Sequence, residues 1–117
     1  MADIEKRTFD FAVRIVNLKD YLLEHTNEYD ISKQVLRSGT SIGANVAEAQ
    51  QAQSQAEFLT KMNIALKESS ETKYWLRLLK ATGKLTEREV ESILAECVEI
   101  EKTLYAIVRT TKNNLQK

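Results

Sequence analysis

The sequence is poor in residues that interrupt helices and in residues that build catalytic or metal sites. Its 117 residues include no proline, three glycines, one cysteine and one histidine. The absence of proline and the scarcity of glycine favour long uninterrupted helices. A single cysteine cannot form an internal disulfide or a multi-cysteine zinc site. A single histidine cannot supply the paired imidazoles of a di-iron bundle, so we expect no metal site of that kind.

The sequence also lacks an excess of charge of either sign and a long apolar run. Lys plus Arg and Asp plus Glu number 17 each, so no global positive field attracts nucleic acid or an anionic membrane. No run approaches the roughly 18 apolar residues of a membrane span, and the first residues do not resemble a signal peptide. We therefore expect a soluble cytoplasmic protein without membrane contact, and the lone cysteine fits a reducing compartment.

Apolar residues recur at helical spacing over most of the chain. The pattern predicts four helices, at about residues 4–24, 31–53, 55–82 and 87–112. Several local signals mark their ends. These are Asp30 as an N-cap, Ser54 with Glu57 and Thr86 with Glu89 as capping boxes, and Gly83 as a C′ residue. The short breaks force consecutive helices to run antiparallel, which predicts an all-α, up-down-up-down four-helix bundle over residues 1–117 as one domain.

The apolar faces differ between the helices. On the last two, inward positions step by three and four, as in bundle packing. They are Phe58, Met62, Ala65, Ser69, Thr72, Leu76 and Leu79, then Val90, Ile93 or Leu94, Cys97, Ile100, Leu104 and Ile107. The first helix has an apolar arc of roughly 220°, which is wider than one core contact needs. This arc predicts a second contact, and a ring of copies would cover it.

Residues 39–43, GTSIG, match the G-x-S-x-G motif of serine hydrolases. That motif needs a strand before the serine, a helix after it, and an acid and then a histidine later in the chain. Here His25 precedes Ser41, and no alternating β-branched run leads into the motif. We interpret Gly39 and Gly43 as helix-packing residues one turn apart, which admit a neighbouring backbone. We predict no enzymatic activity, no catalytic residue, no cofactor and no metal ligand.

A polar ridge lies beside the small residues of the second helix. Its members follow at steps of four, four and three: Arg37, Ser41, Asn45 and Glu48. Buried polar groups need partners, so we interpret the ridge as a hydrogen-bonded network that fixes helix register or subunit docking. A ligand site is the alternative interpretation.

A basic stripe follows one face of the third helix. Its members are Lys73, Arg77, Lys80 and Lys84. A set of cations repeated in a ring of copies would form a positive surface suited to phosphate, so the stripe is a candidate RNA- or DNA-binding surface. The alternative is a solvated face whose cations pair with acids of the fourth helix.

Residues 37–79 carry a family resemblance. The stretch RSGTSIGANVAEAQQAQSQAEFLTKMNIALKESSETKYWLRLL resembles the signature of the bacterial four-helix-bundle family known as 23S rRNA intervening-sequence proteins. The most diagnostic pieces are Arg37-Ser38, Ser41-Ile42, Asn45-Val46-Ala47-Glu48, Phe58, Ala65, Lys67-Glu68, Glu71-Thr72 and Tyr74-Trp75-Leu76. Gly39 stands where alanine is commoner and Ala49 where glycine is commoner, and both departures keep the residue small. The first and fourth helices agree only in length and pattern.

The resemblance implies a homopentamer of bundles around a central channel and no enzymatic activity. It also implies kinship with accessory proteins of diversity-generating retroelements, which bind a reverse transcriptase and nucleic acid. We therefore expect a non-enzymatic oligomeric scaffold or accessory protein that contacts RNA or DNA through the basic stripe. The alternative is a module that binds a protein partner without nucleic-acid contact.

Overall fold

The structure, a computed structural model that describes residues 2–117, consists of four helices joined by short connections. They are α1 (Ala2–His25), α2 (Asp30–Ala49), α3 (Gln55–Ala81) and α4 (Glu87–Leu115). Each helix packs on the next one along the chain, α4 also contacts α1, and no diagonal pair within residues 2–117 makes comparable contact. This arrangement confirms the predicted all-α four-helix bundle, which measures 50 × 22 × 21 Å.

The two predicted capping signals start α3 and α4. Thr86 forms the complete capping box, since its side chain accepts from the Glu89 amide and the Glu89 carboxylate accepts from the Thr86 amide. Ser54 accepts from the Glu57 amide at 3.0 Å, but the Glu57 carboxylate accepts from Gln53, one residue earlier than a capping box requires. Both helices therefore begin where local side-chain hydrogen bonds satisfy their first amides.

Gly83 ends α3 as predicted. Its φ of 75° is the left-handed conformation that a side chain would disfavour. The Gly83 amide donates to the carbonyl of Lys80 at 3.1 Å, and the Lys84 amide donates to the carbonyl of Leu79 at 3.0 Å. These two bonds form a Schellman motif, which turns the chain sharply so that the buried Leu85 covers the end of the core.

Both ends of α2 differ from the prediction. Asp30 is the first helical residue rather than the N-cap. The Glu28 carboxylate, and not Asp30, accepts a hydrogen bond from the Ile31 amide at the start of the helix, at 2.8 Å. The helix ends at Ala49 and not at residue 53, because two antiparallel neighbours need several residues to reverse the chain. The predicted range left no residues for that reversal before Ser54.

The core runs the length of the bundle, and most predicted inward positions of α3 and α4 are buried in it. On α4 the structure selects Ile93 over Leu94, and Val108 is buried in place of the predicted Ile107. Phe58 on α3 is only half-buried at the edge of the core. No buried side-chain nitrogen or oxygen among residues 3–117 lacks a hydrogen-bond partner, so the core is fully satisfied.

Two glycines of α2 set its distance from α1. A Cβ atom on Gly39 would lie 2.7 Å from Cγ1 of Ile15, and one on Gly43 would lie 3.0 Å from the backbone oxygen of Thr8. Both separations are shorter than ordinary van der Waals contact. Gly43 therefore admits the backbone of α1, as predicted, whereas at Gly39 the close neighbour is the side chain of Ile15.

Candidate interaction surfaces

Ser41 lies in the middle of α2, half-buried, and not on a strand-to-helix turn. Its backbone oxygen accepts a hydrogen bond from the Asn45 side chain at 2.9 Å. His25 lies at the end of α1, where its ring stacks on Tyr21 with centroids 4.0 Å apart. No hydrogen bond within residues 2–117 joins Ser41 to His25, so these residues do not form a nucleophile–base pair.

Arg37, the first member of the polar ridge, links α2 to α3. Its guanidinium contacts Glu68 at 3.4 Å and forms a closer ion pair with Glu71. The Glu71 carboxylate also accepts a hydrogen bond from the Trp75 indole at 3.0 Å. The Trp75 hydrogen bond and then the Arg37 interaction lower the pKa of Glu71, against partial burial that raises it. The arrangement links α2 to α3 through side chains, and it includes residues of the α3 signature block.

The remaining ridge residues do not join this cluster. Asn45 bonds within its own helix, whereas Glu48 pairs with Lys61 of α3 at 2.9 Å. Deeper in the same interface, the buried Thr72 hydroxyl donates to the Ser38 hydroxyl at 2.9 Å. The ridge is thus a set of separate contacts along the α2–α3 seam. A polar residue at an inward position on each helix was the sequence signal for the Ser38–Thr72 bond, but spacing along one helix does not pair residues of two helices.

The basic stripe of α3 is partly neutralised by α4. Lys73 pairs with Glu101 at 2.8 Å, and Lys80 pairs with Glu87 at 3.4 Å. Arg77 and Lys84 are exposed and make no ion pair within residues 3–117. Two of the four predicted cations are therefore held in the α3–α4 interface, and two remain available to a partner.

A groove of about 590 Å³ opens between α3 and α4 beside this stripe. Cations on its rim are Lys73, Arg77 and Lys80, and its apolar lining comprises Tyr74, Leu78, Ala81, Leu94 and Val98. Tyr74 is 57% exposed, whereas the adjacent Trp75 packs against the core. Leu94 and Val98, one turn apart beside the core positions of α4, were the sequence signal for this groove. We refer to it as the α3–α4 groove.

The widest apolar exposure is on α1. Four of its large side chains lie on one face and are open to solvent: Phe9 at 68%, Val13 at 46%, Val16 at 40% and Leu23 at 37%. We call this set the α1 stripe. It spans roughly 20 Å along the helix. The core-facing residues of α1, such as Phe11 and Ile15, are fully buried on another side. The wide apolar arc predicted from the sequence therefore divides into a core face and an exposed face.

Cys97 lies fully buried on the core face of α4. Its thiol donates to the backbone oxygen of Ser69 at 3.5 Å. Burial, assisted by the nearby Glu101 charge, raises the pKa of the thiol to about 12. The thiol is therefore protonated at neutral pH and packs as a small apolar group.

Glu96 and Glu99 lie one turn apart on α4, at a spacing that could place two carboxylates together in a site. Each of them forms an ion pair instead. Glu96 contacts Arg14 of α1 at 2.5 Å, and Glu99 contacts Lys102 at 3.8 Å. The described residues contain no group of three or more histidine, cysteine or acidic side chains that could hold a metal ion. None of the four helices has a stretch long and apolar enough to cross a membrane.

Comparison with known proteins agrees with this architecture. The four-helix fold and the α2–α3 signature define the class, and the family model of the 23S rRNA-intervening sequence protein matches residues 2–106. The chain therefore belongs to that family. A crystal structure of a protein of unknown function from the S23 ribosomal protein family of Bacteroides thetaiotaomicron is 52% identical, with a TM-score of 0.87. The alignment covers 90% of this chain and 97% of that one. No curated protein matches.

Proposed function

We propose that this protein is a non-enzymatic oligomeric scaffold or accessory protein that assembles through α1. The observation that carries the proposal is the α1 stripe, because four large apolar side chains on one face are unusual for a surface in permanent contact with water. Burying one such side chain fully stabilises an assembly by about 1.5 to 3 kcal/mol. Contact with further copies would cover the stripe, and the homopentamer implied by the family resemblance is the assembly that we propose.

Molar mass in solution tests the proposal, and one variant and its control locate the contact. Val13→Lys places a charge in the α1 stripe and should reduce the mass towards that of one chain. Tyr29→Lys is the matched control, since Tyr29 is a similarly exposed apolar residue in the connection between α1 and α2. Multi-angle light scattering should show the control unchanged. An unaltered mass for Val13→Lys would remove α1 from the interface.

A second candidate function, contact with RNA or DNA, rests on Arg77 and Lys84. These two residues are exposed, and acids within residues 3–117 do not neutralise them. Repetition of the pair around an assembly would concentrate positive charge where phosphates could bind. Lys73 and Lys80 contribute less, because each already has an acidic partner.

Salt-dependent retention of a labelled RNA tests this second function. The double variant Arg77→Glu, Lys84→Glu should lose binding, and affinity of the original protein should fall steeply with salt. Lys67→Glu is a suitable control, because Lys67 is another exposed cation of α3 outside the stripe. Absence of retention even at about 50 mM salt would favour the alternative, a module that binds a protein partner without nucleic acid.

A further inference from the structure

We propose that the α1 stripe of one copy packs into the α3–α4 groove of the next copy. This inference rests on the self-association proposed above and names the two surfaces that meet. It concerns a contact between unlike surfaces, which allows more than two copies to join.

The first support is that each surface is apolar and neither is filled within one chain. The stripe consists of exposed Phe9, Val13 and Val16 with Leu23, and the groove is lined by side chains such as Leu94 and Val98. Within the described bundle α1 packs on α2 and α4 and makes no comparable contact with α3. A chain therefore cannot place its own α1 stripe in its own groove.

The second support is that the unpaired charges nearest the two surfaces have opposite sign, since Lys6 and Lys19 beside the stripe are already paired with acids of α1. Arg77 on the groove rim has no acidic partner within residues 3–117, so the rim keeps one cation beyond its two ion pairs. Beside the stripe, Glu5 and Glu24 are exposed and make no ion pair within the same residues. A stripe seated in the groove would bring these carboxylates towards the cationic rim, which favours this pairing over one between two acidic stripes.

The pairing has a consequence for assembly size. When unlike surfaces meet, each added copy leaves one stripe and one groove open, so assembly continues until a ring closes. A contact of stripe with stripe would instead be symmetric and would stop at two copies. The inference therefore predicts more than two copies per assembly, without fixing their number.

A mixing experiment distinguishes these possibilities. The stripe variant carries Val13→Lys and Val16→Lys, and the groove variant carries Tyr74→Lys and Val98→Lys. All four positions are at least partly exposed, and circular dichroism with thermal melting checks that both variants fold. Each variant alone should be monomeric. Mixed in equal amounts, they should form a complex of two chains and no larger species, because only one intact stripe and one intact groove remain. Tyr29→Lys should assemble like the original protein.

Each other outcome overturns the inference. A groove variant that assembles like the original protein would show that the stripe meets another surface. Two monomeric variants that do not combine would show that the stripe and the groove are not partners. If RNA binding is lost in the groove variant while its mass stays unchanged, nucleic acid occupies the groove. A monomeric original protein would instead refute the proposed self-association itself, so the two failures are separable.

Discussion

At the scale of single residues, the two glycines of GTSIG have different surroundings. Gly39 faces the side chain of Ile15, which is fully buried and β-branched and so has little freedom to move. Gly43 faces the backbone of Thr8 at a slightly longer distance. Each glycine costs α2 about 0.5 to 1 kcal/mol of helix stability relative to alanine. Close packing on α1 offsets that cost. The approach is closer at Gly39, at 2.7 Å, than at Gly43, at 3.0 Å.

Gly39→Ala should therefore destabilise the fold. Overpacking of a core typically costs about 1 to 3 kcal/mol, and the gain in helix propensity offsets part of it, so we expect a net loss of about 1 to 2 kcal/mol. Urea denaturation of the variant measures this loss. Adding Ile15→Val should recover only a small part of it, because valine lacks Cδ1, 3.0 Å from the new Cβ atom, but keeps both γ carbons, at 2.7 and 2.8 Å. A Gly39→Ala protein as stable as the original would contradict the close approach of α1 and α2.

Cys97 should be unreactive in the folded protein. Its thiol is fully buried and its pKa is raised to about 12, so almost no thiolate exists in the folded protein at about pH 8. A colorimetric disulfide reagent should label it at the rate of unfolding, and rapidly once urea is added. Stoichiometric labelling within seconds under native conditions would show that this part of α4 is open.

At the scale of elements, predictability from sequence follows the range of the interaction that decides each feature. The starts of α3 and α4 could be predicted because Ser54 and Thr86 bond to amides within three residues. The end of α3 could be predicted for the same reason, because Gly83 ends the helix through its own backbone conformation and a bond to Lys80. The end of α2 carries no such signal, since its position depends on how the chain reverses to pack α3.

The same distinction holds for the candidate surfaces. The α1 stripe was predictable because an apolar arc is a property of one helix. The Arg37 cluster and the α3–α4 groove combine residues far apart in sequence, so periodicity on one helix indicates at most one side of each. The sequence predicts the ion pairs of Lys73 and Lys80 with α4 only as an alternative, because their formation depends on the relative register of two helices.

The α2–α3 seam should weaken in acid. The pKa of Glu71 is lowered from 4.5 by the Trp75 hydrogen bond and by Arg37, so its carboxylate stabilises the fold at pH above 4.5. That stabilisation is lost as the pH falls through the lower, folded-state pKa. Protonation then weakens the link between α2 and α3.

Thermal melting at a series of pH values between about 3 and 7 tests this expectation. Glu71→Gln should be less stable than the original protein near neutrality, and the difference should shrink as the pH falls through the lowered folded-state pKa of Glu71. Glu91→Gln, at an exposed position without an ion pair within residues 3–117, serves as the control and should follow the original protein. A difference between Glu71→Gln and the original protein that is constant with pH would exclude the carboxylate as its cause.

At the scale of the whole molecule, the interior and the surface of the bundle differ. The buried polar groups have hydrogen-bond partners, whereas the surface exposes apolar side chains. Its core is continuous and every buried polar side-chain atom of residues 3–117 has a partner. Its surface, in contrast, exposes the α1 stripe and the α3–α4 groove on different helices. Such a chain presents apolar surface that water disfavours, which favours assembly.

The measurement that tests this account most directly is the molar mass of the unmodified protein at micromolar concentration, determined by light scattering. We expect one defined species of more than two chains. A protein with the mass of a single chain throughout the micromolar range would contradict it, because water alone would then cover the α1 stripe.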